Sequence, residues 1–202
     1  MREARAEQAD VKDEVQTGRR GRIELICGPM FSGKSERLLD RLAEAGRRGE
    51  AAAAFKHAAD DRYHPEQIVT HGGRRRAARP VASAGQIRAA VGDARLVVID
   101  EAQFFDLDLV EACRRLAEEG RTVLVAGLDR DSWGRPFGPM PHLERIADQV
   151  TRTVGTCARC GAPAVRTQRL APIEGPRMIG GPEAYEPRCL DCFVPPPVEP
   201  RR

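Results

Sequence analysis

The chain has 202 residues, 31% of them charged, with a formal net charge of only +3. That length holds one full domain plus a small appendage, and the near balance of charge argues against a nucleic-acid binder built on charge alone. No run of 18 apolar residues occurs and the N-terminus, MREARAEQADVKDEVQTGRRG, has no apolar stretch. Neither a membrane span nor a secretory signal is therefore expected, and a cytoplasmic location is. Residues 1–20 and the proline-rich end, 194–202, read as disordered tails.

Arg22–Cys27 (RIELIC) is a short apolar run, the first expected strand. A glycine-containing loop, Gly28–Ser35, follows. From Lys34 to about Arg48, Leu38, Leu39, Leu42 and Ala45 recur on one helical face until Gly49. Ala51–Phe55 can be a strand, although alanine has weak β propensity. Residues 57–79 read as a long loop or hairpin, and Ser83–Val91 as a helix. Arg95–Ile99 is the clearest buried strand, and Leu107–Glu119 is a helix with Leu109, Val110, Cys113 and Leu116 in step. Thr122–Ala126 is a further buried strand, followed by a short helix at His142–Asp148 and a strand at Gln149–Val154. Short apolar strands alternating with amphipathic helices predict an α/β domain around a mainly parallel sheet, with ligands at the strands' C-terminal ends. After about Thr156 the helical periodicity stops and Pro, Gly and paired cysteines take over.

Three motifs carry chemistry. Gly28-Pro29-Met30-Phe31-Ser32-Gly33-Lys34-Ser35 matches G-x-x-x-x-G-K-[ST]. Its backbone N–H groups and the following helix N-terminus can cradle phosphates, with Lys34 on the β- and γ-phosphates and Ser35 on Mg²⁺. Lysine occurs only at Lys12, Lys34 and Lys56, which draws attention to the last two. Asp100 and Glu101 close the buried run LVVI. An Asp there holds Mg²⁺; the Glu beside it either activates water or takes a proton from a substrate hydroxyl. Of six cysteines, Cys157/Cys160 and Cys189/Cys192 form two C-x-x-C pairs with 28 residues between them. That spacing suits a closed structural Zn²⁺ site, with a redox dithiol pair as the alternative. Cys27 and Cys113 sit in apolar patterns and read as buried thiols.

GPMFSGKS at 28–35, DDRY at 60–63, DEAQFF at 100–105, GLD at 127–129, RPFG at 135–138, TQRL at 167–170, and IGG at 179–181 with Tyr185 together resemble the zinc-containing cellular and bacterial thymidine kinases. The resemblance runs from about residue 22 to 193. It implies a RecA-like P-loop domain (21–155), a zinc ribbon carrying a lasso loop (156–193), and a homotetramer. It also implies ATP–Mg²⁺ as donor, thymidine and deoxyuridine as acceptors, and feedback inhibition by dTTP. Glu101 falls on the family's catalytic base. Residues Gly28 to Ser35, Asp60, Asp61, Arg62, Asp100 and Gln103 fall on the phosphate and Mg²⁺ site. Met30, Phe104, Leu128, Phe137 and Thr167 fall around the thymine base, Pro176, Arg177, Met178, Ile179 and Gly180 on the lasso, and Tyr185 on the aromatic that closes the pocket. One departure stands out: Ser132 occupies a position where the family usually has an aromatic, with Trp133 one place later. Either the tryptophan takes that place or the pocket is wider. Arg74, Arg75, Arg76 and Arg79 read as a solvated or subunit-facing charge run.

Two other classes share the P-loop: a DNA-acting ATPase with a zinc ribbon, and a zinc-ribbon interaction module with a nucleotide switch. The first calls for a basic track or stacking aromatics, and aromatics are 4% of this chain. No nucleic-acid or membrane partner is expected.

Overall fold

The computed structural model describes residues 20–60, 63–171 and 180–197. Its strands are β1 (Arg22–Cys27), β2 (Ala52–His57), β3 (Gln67–Val69), β4 (Arg75–Ala77), β5 (Arg79–Val81), β6 (Leu96–Asp100), β7 (Thr122–Gly127) and β8 (Gln149–Arg152). Four short strands follow: β9 (Gly155–Thr156), β10 (Pro163–Ala164), β11 (Arg166–Arg169) and β12 (Tyr185–Arg188). The helices are α1 (Lys34–Arg47), α2 (Ala84–Ala90), α3 (Asp108–Glu118) and α4 (Met140–Ile146), with a 3₁₀ turn at Ala102–Phe104.

Successive side chains on a strand point to opposite faces, and each face here finds an apolar cover. Val98, Leu124 and Ile26 pack with Leu38, Leu39, Leu42 and Ala45 of α1. Their neighbours Val97, Ile99, Val123, Val125, Ile23 and Leu25 pack on the other face. There they meet Leu109, Cys113 and Leu116 of α3, Ile87 of α2, and Met140 and Leu143 of α4. Both faces being covered explains why β6 is buried at every position and reads as an unbroken apolar run. The result is a six-stranded sheet in the order β5-β2-β6-β7-β1-β8, every pairing parallel. The expected α/β architecture is thus the observed one.

One local expectation is met and two are corrected. The alanine stretch is a strand, β2, because Phe55 is buried in the core and Ala52–Lys56 pair in register with Leu96–Asp100; tertiary pairing outweighs propensity. The loop expected to run to residue 79 gives way there to β5, which extends the sheet beside β2 with Phe55 opposite Arg79. Its Arg79 and Pro80 are exposed and only Val81 is buried, so no apolar alternation marked it. Such a composition suits an edge strand. Helix α4 starts two residues before the expected His142, because Pro141 fits the first turn of a helix. Residues 67–77 do form a hairpin, β3 against β4.

Beyond β8, the described chain makes two small antiparallel ladders, β9–β10 and β11–β12. Arg20 pairs with Asp148 at 3.2 Å, and the Val194 backbone pairs with both ends of the Gln168 amide at 2.7 and 2.8 Å. The expectations for residues 1–19 and 198–202 lie outside the described residues. Among the described residues no helix is long and apolar enough to cross a membrane.

Leu109→Ala, which empties a fully buried site between α3 and the sheet, should cost about 2–5 kcal/mol in urea unfolding. Leu107→Ala, at a position 58% exposed, should stay within about 0.5 kcal/mol of the parent. Equal losses would contradict the packing described.

Candidate active site

The loop from β1 to α1 is shaped by its backbone. Gly28 has φ 148, and a Cβ there would lie 2.4 Å from both Thr153 O and its Oγ1, so the crossing requires glycine. Phe31 (φ 58) and Gly33 (φ 82) also lie in the left-handed region. Gly33 is the N-cap of α1, so no capping side chain covers the first N–H groups of that helix, the arrangement that binds anions. The loop is tied from outside: Met30 N–H donates to Thr167 Oγ1 at 3.0 Å, and Ser32 Oγ stands 2.6 Å from Thr153 Oγ1. Lys34 Nζ folds back over the loop, donating to Gly28 O at 3.1 Å and Pro29 O at 2.5 Å.

A cleft of about 330 Å³ opens along this loop, walled by Lys34, Ser35, Asp60, Asp100, Glu101 and the β3–β4 hairpin. A much tighter recess of about 20 Å³ adjoins it, lined by Glu101, Gln103, Phe104, Leu128, Ser132, Phe137, Thr167 and Tyr185. Met30, Glu101 and Leu128 line both.

Asp100 ends β6 with 6% of its surface exposed. Burial, reinforced by the neighbouring charge of Glu101, pushes its pKa from 3.8 to about 7, although the Glu101 N–H bonded to its Oδ1 pulls the other way. Ser35 Oγ lies 3.5 Å from Asp100 Oδ2. With Asp60 also on the cleft wall, the donors are hard oxygens of the kind a Mg²⁺ ion takes beside a triphosphate. Glu101 adopts φ 57, uncommon for a residue with a side chain and typical of strain held at working sites. Its carboxylate accepts from Gln103 Nε2 at 2.5 Å. Gln103 was expected on the phosphate side; its side chain lines the tighter recess instead. Lys56 is buried, bonded to Asp60 at 2.9 Å, His64 O at 2.8 Å and Gln67 O at 3.2 Å. It braces the rim, a role its rarity flagged without defining.

In the recess, Phe104 meets Phe137 edge-on at 5.8 Å, and Tyr185 OH accepts from Arg169 at 2.6 Å. The two readings at 132 and 133 separate here. Ser132 is buried and lines the recess, while Trp133 lies outside that lining, beneath the Arg135 guanidinium 5.1 Å from its ring. Of the arginine run, Arg74 reaches Glu36 and Asp40 of α1 at 2.8 and 2.9 Å. Asp61, Arg62, Pro176, Arg177, Met178 and Ile179 lie outside the described residues, and Gly180 packs against Ala184 and Tyr185.

Cys157, Cys160, Cys189 and Cys192 converge, all four sulfurs within 4.8 Å of one another. Cys160 and Cys189 are 3.6 Å apart, far beyond a disulfide and close to the S···S edge of about 3.8 Å in a tetrahedral Zn–S₄ site. Burial opposes ionisation of Cys157, but N–H groups of Cys189, Cys160 and Arg159 outweigh it and bring the thiol down to about 6. Hydrogen bonds to the Cys189 and Cys160 sulfurs push Cys192 up to about 12. Four crowded thiols cannot all ionise unaided; a divalent cation removes that conflict. Cys27 and Cys113 are buried, and desolvation raises them to about 11 and about 12, which fits inert core thiols.

Fold and site together define a P-loop α/β protein whose glutamate faces both a phosphate cleft and a narrower aromatic recess. The thymidine kinase family model matches residues 21–193. A thymidine kinase of Rhodothermus sp. (strain ITI 518) is 47% identical over 176 residues, 87% of this chain and 83% of that protein. One of Bacteroides thetaiotaomicron is 42% identical over 184 residues, 91% and 92% of the two chains. The chain belongs to the thymidine kinase family.

The raised pKa of Asp100 carries a sign. Its proton is bound more tightly in the folded state, so its contribution to stability is full below about pH 4 and is lost as pH rises through about 7. Asp100→Asn should therefore raise the melting temperature at pH 8, without added Mg²⁺, by about 3 °C or more, with the difference shrinking toward pH 5. A lower melting temperature at pH 8 would contradict this.

Proposed function

We propose that this protein is a thymidine kinase, transferring the γ-phosphate of ATP to the 5′-hydroxyl of thymidine, and of deoxyuridine, to give the monophosphate for DNA precursor salvage. The observation that carries the reading is Glu101, whose carboxylate-bearing residue lines both the phosphate cleft and the recess. A base so placed can meet a hydroxyl on one side and a γ-phosphate on the other. The family membership supports the same reaction.

The triphosphate lies along the amides of residues 28–35, and Lys34 leaves the carbonyls of Gly28 and Pro29 for its β- and γ-oxygens. Ser35, Asp60 and Asp100 would hold Mg²⁺, with Asp61 assigned to the same site, and the ion would neutralise charge on the phosphates. Glu101 takes the proton of the 5′-hydroxyl as the phosphorus–oxygen bond forms. Arg62 is assigned to the charge on the migrating phosphoryl group. The base sits among Met30, Phe104, Leu128, Phe137 and Thr167. The backbone of residues 176–180 reads its polar edge, Tyr185 closes the pocket, and water is kept from the phosphate. A cytosine would leave buried polar groups mispaired there, which favours thymine and uracil.

The four cysteines hold structural Zn²⁺ and so fasten both ends of the lasso within residues 156–193, appended to a kinase domain at 21–155. A homotetramer, dTTP as feedback inhibitor and a cytoplasmic location complete the reading.

Coupled ADP release with Mg²⁺–ATP should depend on thymidine and be weak with deoxycytidine; release indifferent to nucleosides but raised by DNA would overturn the proposal. Glu101→Gln should keep ATP binding and lose about 10²-fold or more in kcat, and near-normal turnover would remove Glu101 from the role. Metal analysis should find one zinc per chain, and Cys189→Ser should lose it together with thymidine-dependent turnover. A metal-free, fully active variant would contradict the structural site.

A further inference from the structure

Gln103 is 2% exposed, and both ends of its side-chain amide are engaged. Oε1 accepts the Leu128 backbone N–H at 2.9 Å, and Nε2 donates to Glu101 Oε2 at 2.5 Å. A backbone N–H can only donate, so it fixes which end of the amide faces Leu128 and turns the NH₂ toward the carboxylate. Two glycines, one at the end of β7 and one in the turn before α4, make room for this residue. A Cβ at Gly127 would stand 2.7 Å from Gln103 Oε1, and one at Gly138 would stand 2.2 Å from its carbonyl oxygen. Leu128 follows β7 and walls both the cleft and the recess. Glu101 sits on left-handed backbone, a conformation that persists only where surroundings over-determine it.

We infer that Gln103 is a positioning residue. It fastens one oxygen of the Glu101 carboxylate to the backbone that walls the nucleoside recess, so the base and the acceptor hydroxyl are held in one register. A side chain that merely filled this slot would serve as well if apolar, since a buried amide must be desolvated before its bonds repay it. Here each end of the amide meets a group belonging to the reaction geometry, and a shift of about 1 Å in such a group can cost 10²-fold in rate. The inference rests on the phosphoryl-transfer reading above for its effect on turnover, but its structural content stands apart from it.

The test is a double-mutant cycle with a crystal structure. Gln103→Met, close in length and apolar, should lower kcat about 10-fold or more while KM for ATP changes less than about 3-fold. In the Glu101→Gln background the same change should cost less than about 2-fold, because Gln103 acts through Glu101. Gln103→Glu keeps an acceptor for Leu128 but loses the donor, and should fall as far. In crystals of Gln103→Met the Glu101 carboxylate should leave its present place. A carboxylate that stays put overturns this inference alone; so do equal losses in both backgrounds, or a kcat within about 2-fold of wild type. Absence of thymidine-dependent turnover in the wild-type control counts against the proposed reaction instead.

Discussion

Parallel pairing of β2, β6, β7 and β1 is the constraint from which the site follows. In register, Lys56 stands opposite Asp100, Ile99 opposite Val125 and Cys27 opposite Gly127. All four strands therefore end along one edge of the sheet. The loops leaving that edge carry the phosphate loop, the Asp100–Glu101 pair, and the Leu128 segment with its aromatic neighbours. Apolar strands buried on both faces make that edge rigid, and rigidity is what a phosphoryl transfer asks of a protein that contributes mainly position and charge.

The same edge concentrates polar groups that a core would reject. Asp100 is held in the folded protein at the expense of desolvation, and Lys56 is tolerated because its ammonium has three oxygen partners. Removing one partner of such a set leaves the others buried and unpaired, so these groups are coupled rather than separately tunable. The second ladder pair adds to this edge from outside: Thr167 of β11 accepts the Met30 amide, and Tyr185 of β12 lines the recess. The cysteine cluster thus sits at the ends of strands that touch the phosphate loop itself, so a metal ion held there would bear on that loop without contact with substrate.

Much of this was legible in the sequence where one physical rule dominated. RIELIC and LVVI could only be buried strands, and G-x-x-x-x-G-K-S between a strand and a helix could hardly be anything but a phosphate loop. The two C-x-x-C pairs stated their own convergence. What escaped was set by partners remote in the chain. β5, with Arg79 and Pro80 exposed, is a strand only because β2 offers it an edge. Gln103 is legible as a motif member, but its bond to Leu128 is a tertiary fact. At Ser132 and Trp133 sequence order could not say which side chain turns inward; the hydrogen bonds of Asp131 Oδ1 to the Trp133 and Arg135 amides define the local turn, with Ser132 inside.

Everything turns on whether Glu101 meets the acceptor hydroxyl. The most direct measurement is a crystal structure with thymidine, Mg²⁺ and a non-hydrolysable ATP analogue. The nucleoside should lie in the recess of Phe104, Leu128 and Tyr185, with its 5′-oxygen within about 3.2 Å of the Glu101 carboxylate and facing the γ-phosphate on Lys34. A nucleoside bound elsewhere, or a 5′-oxygen turned away from Glu101, would contradict it.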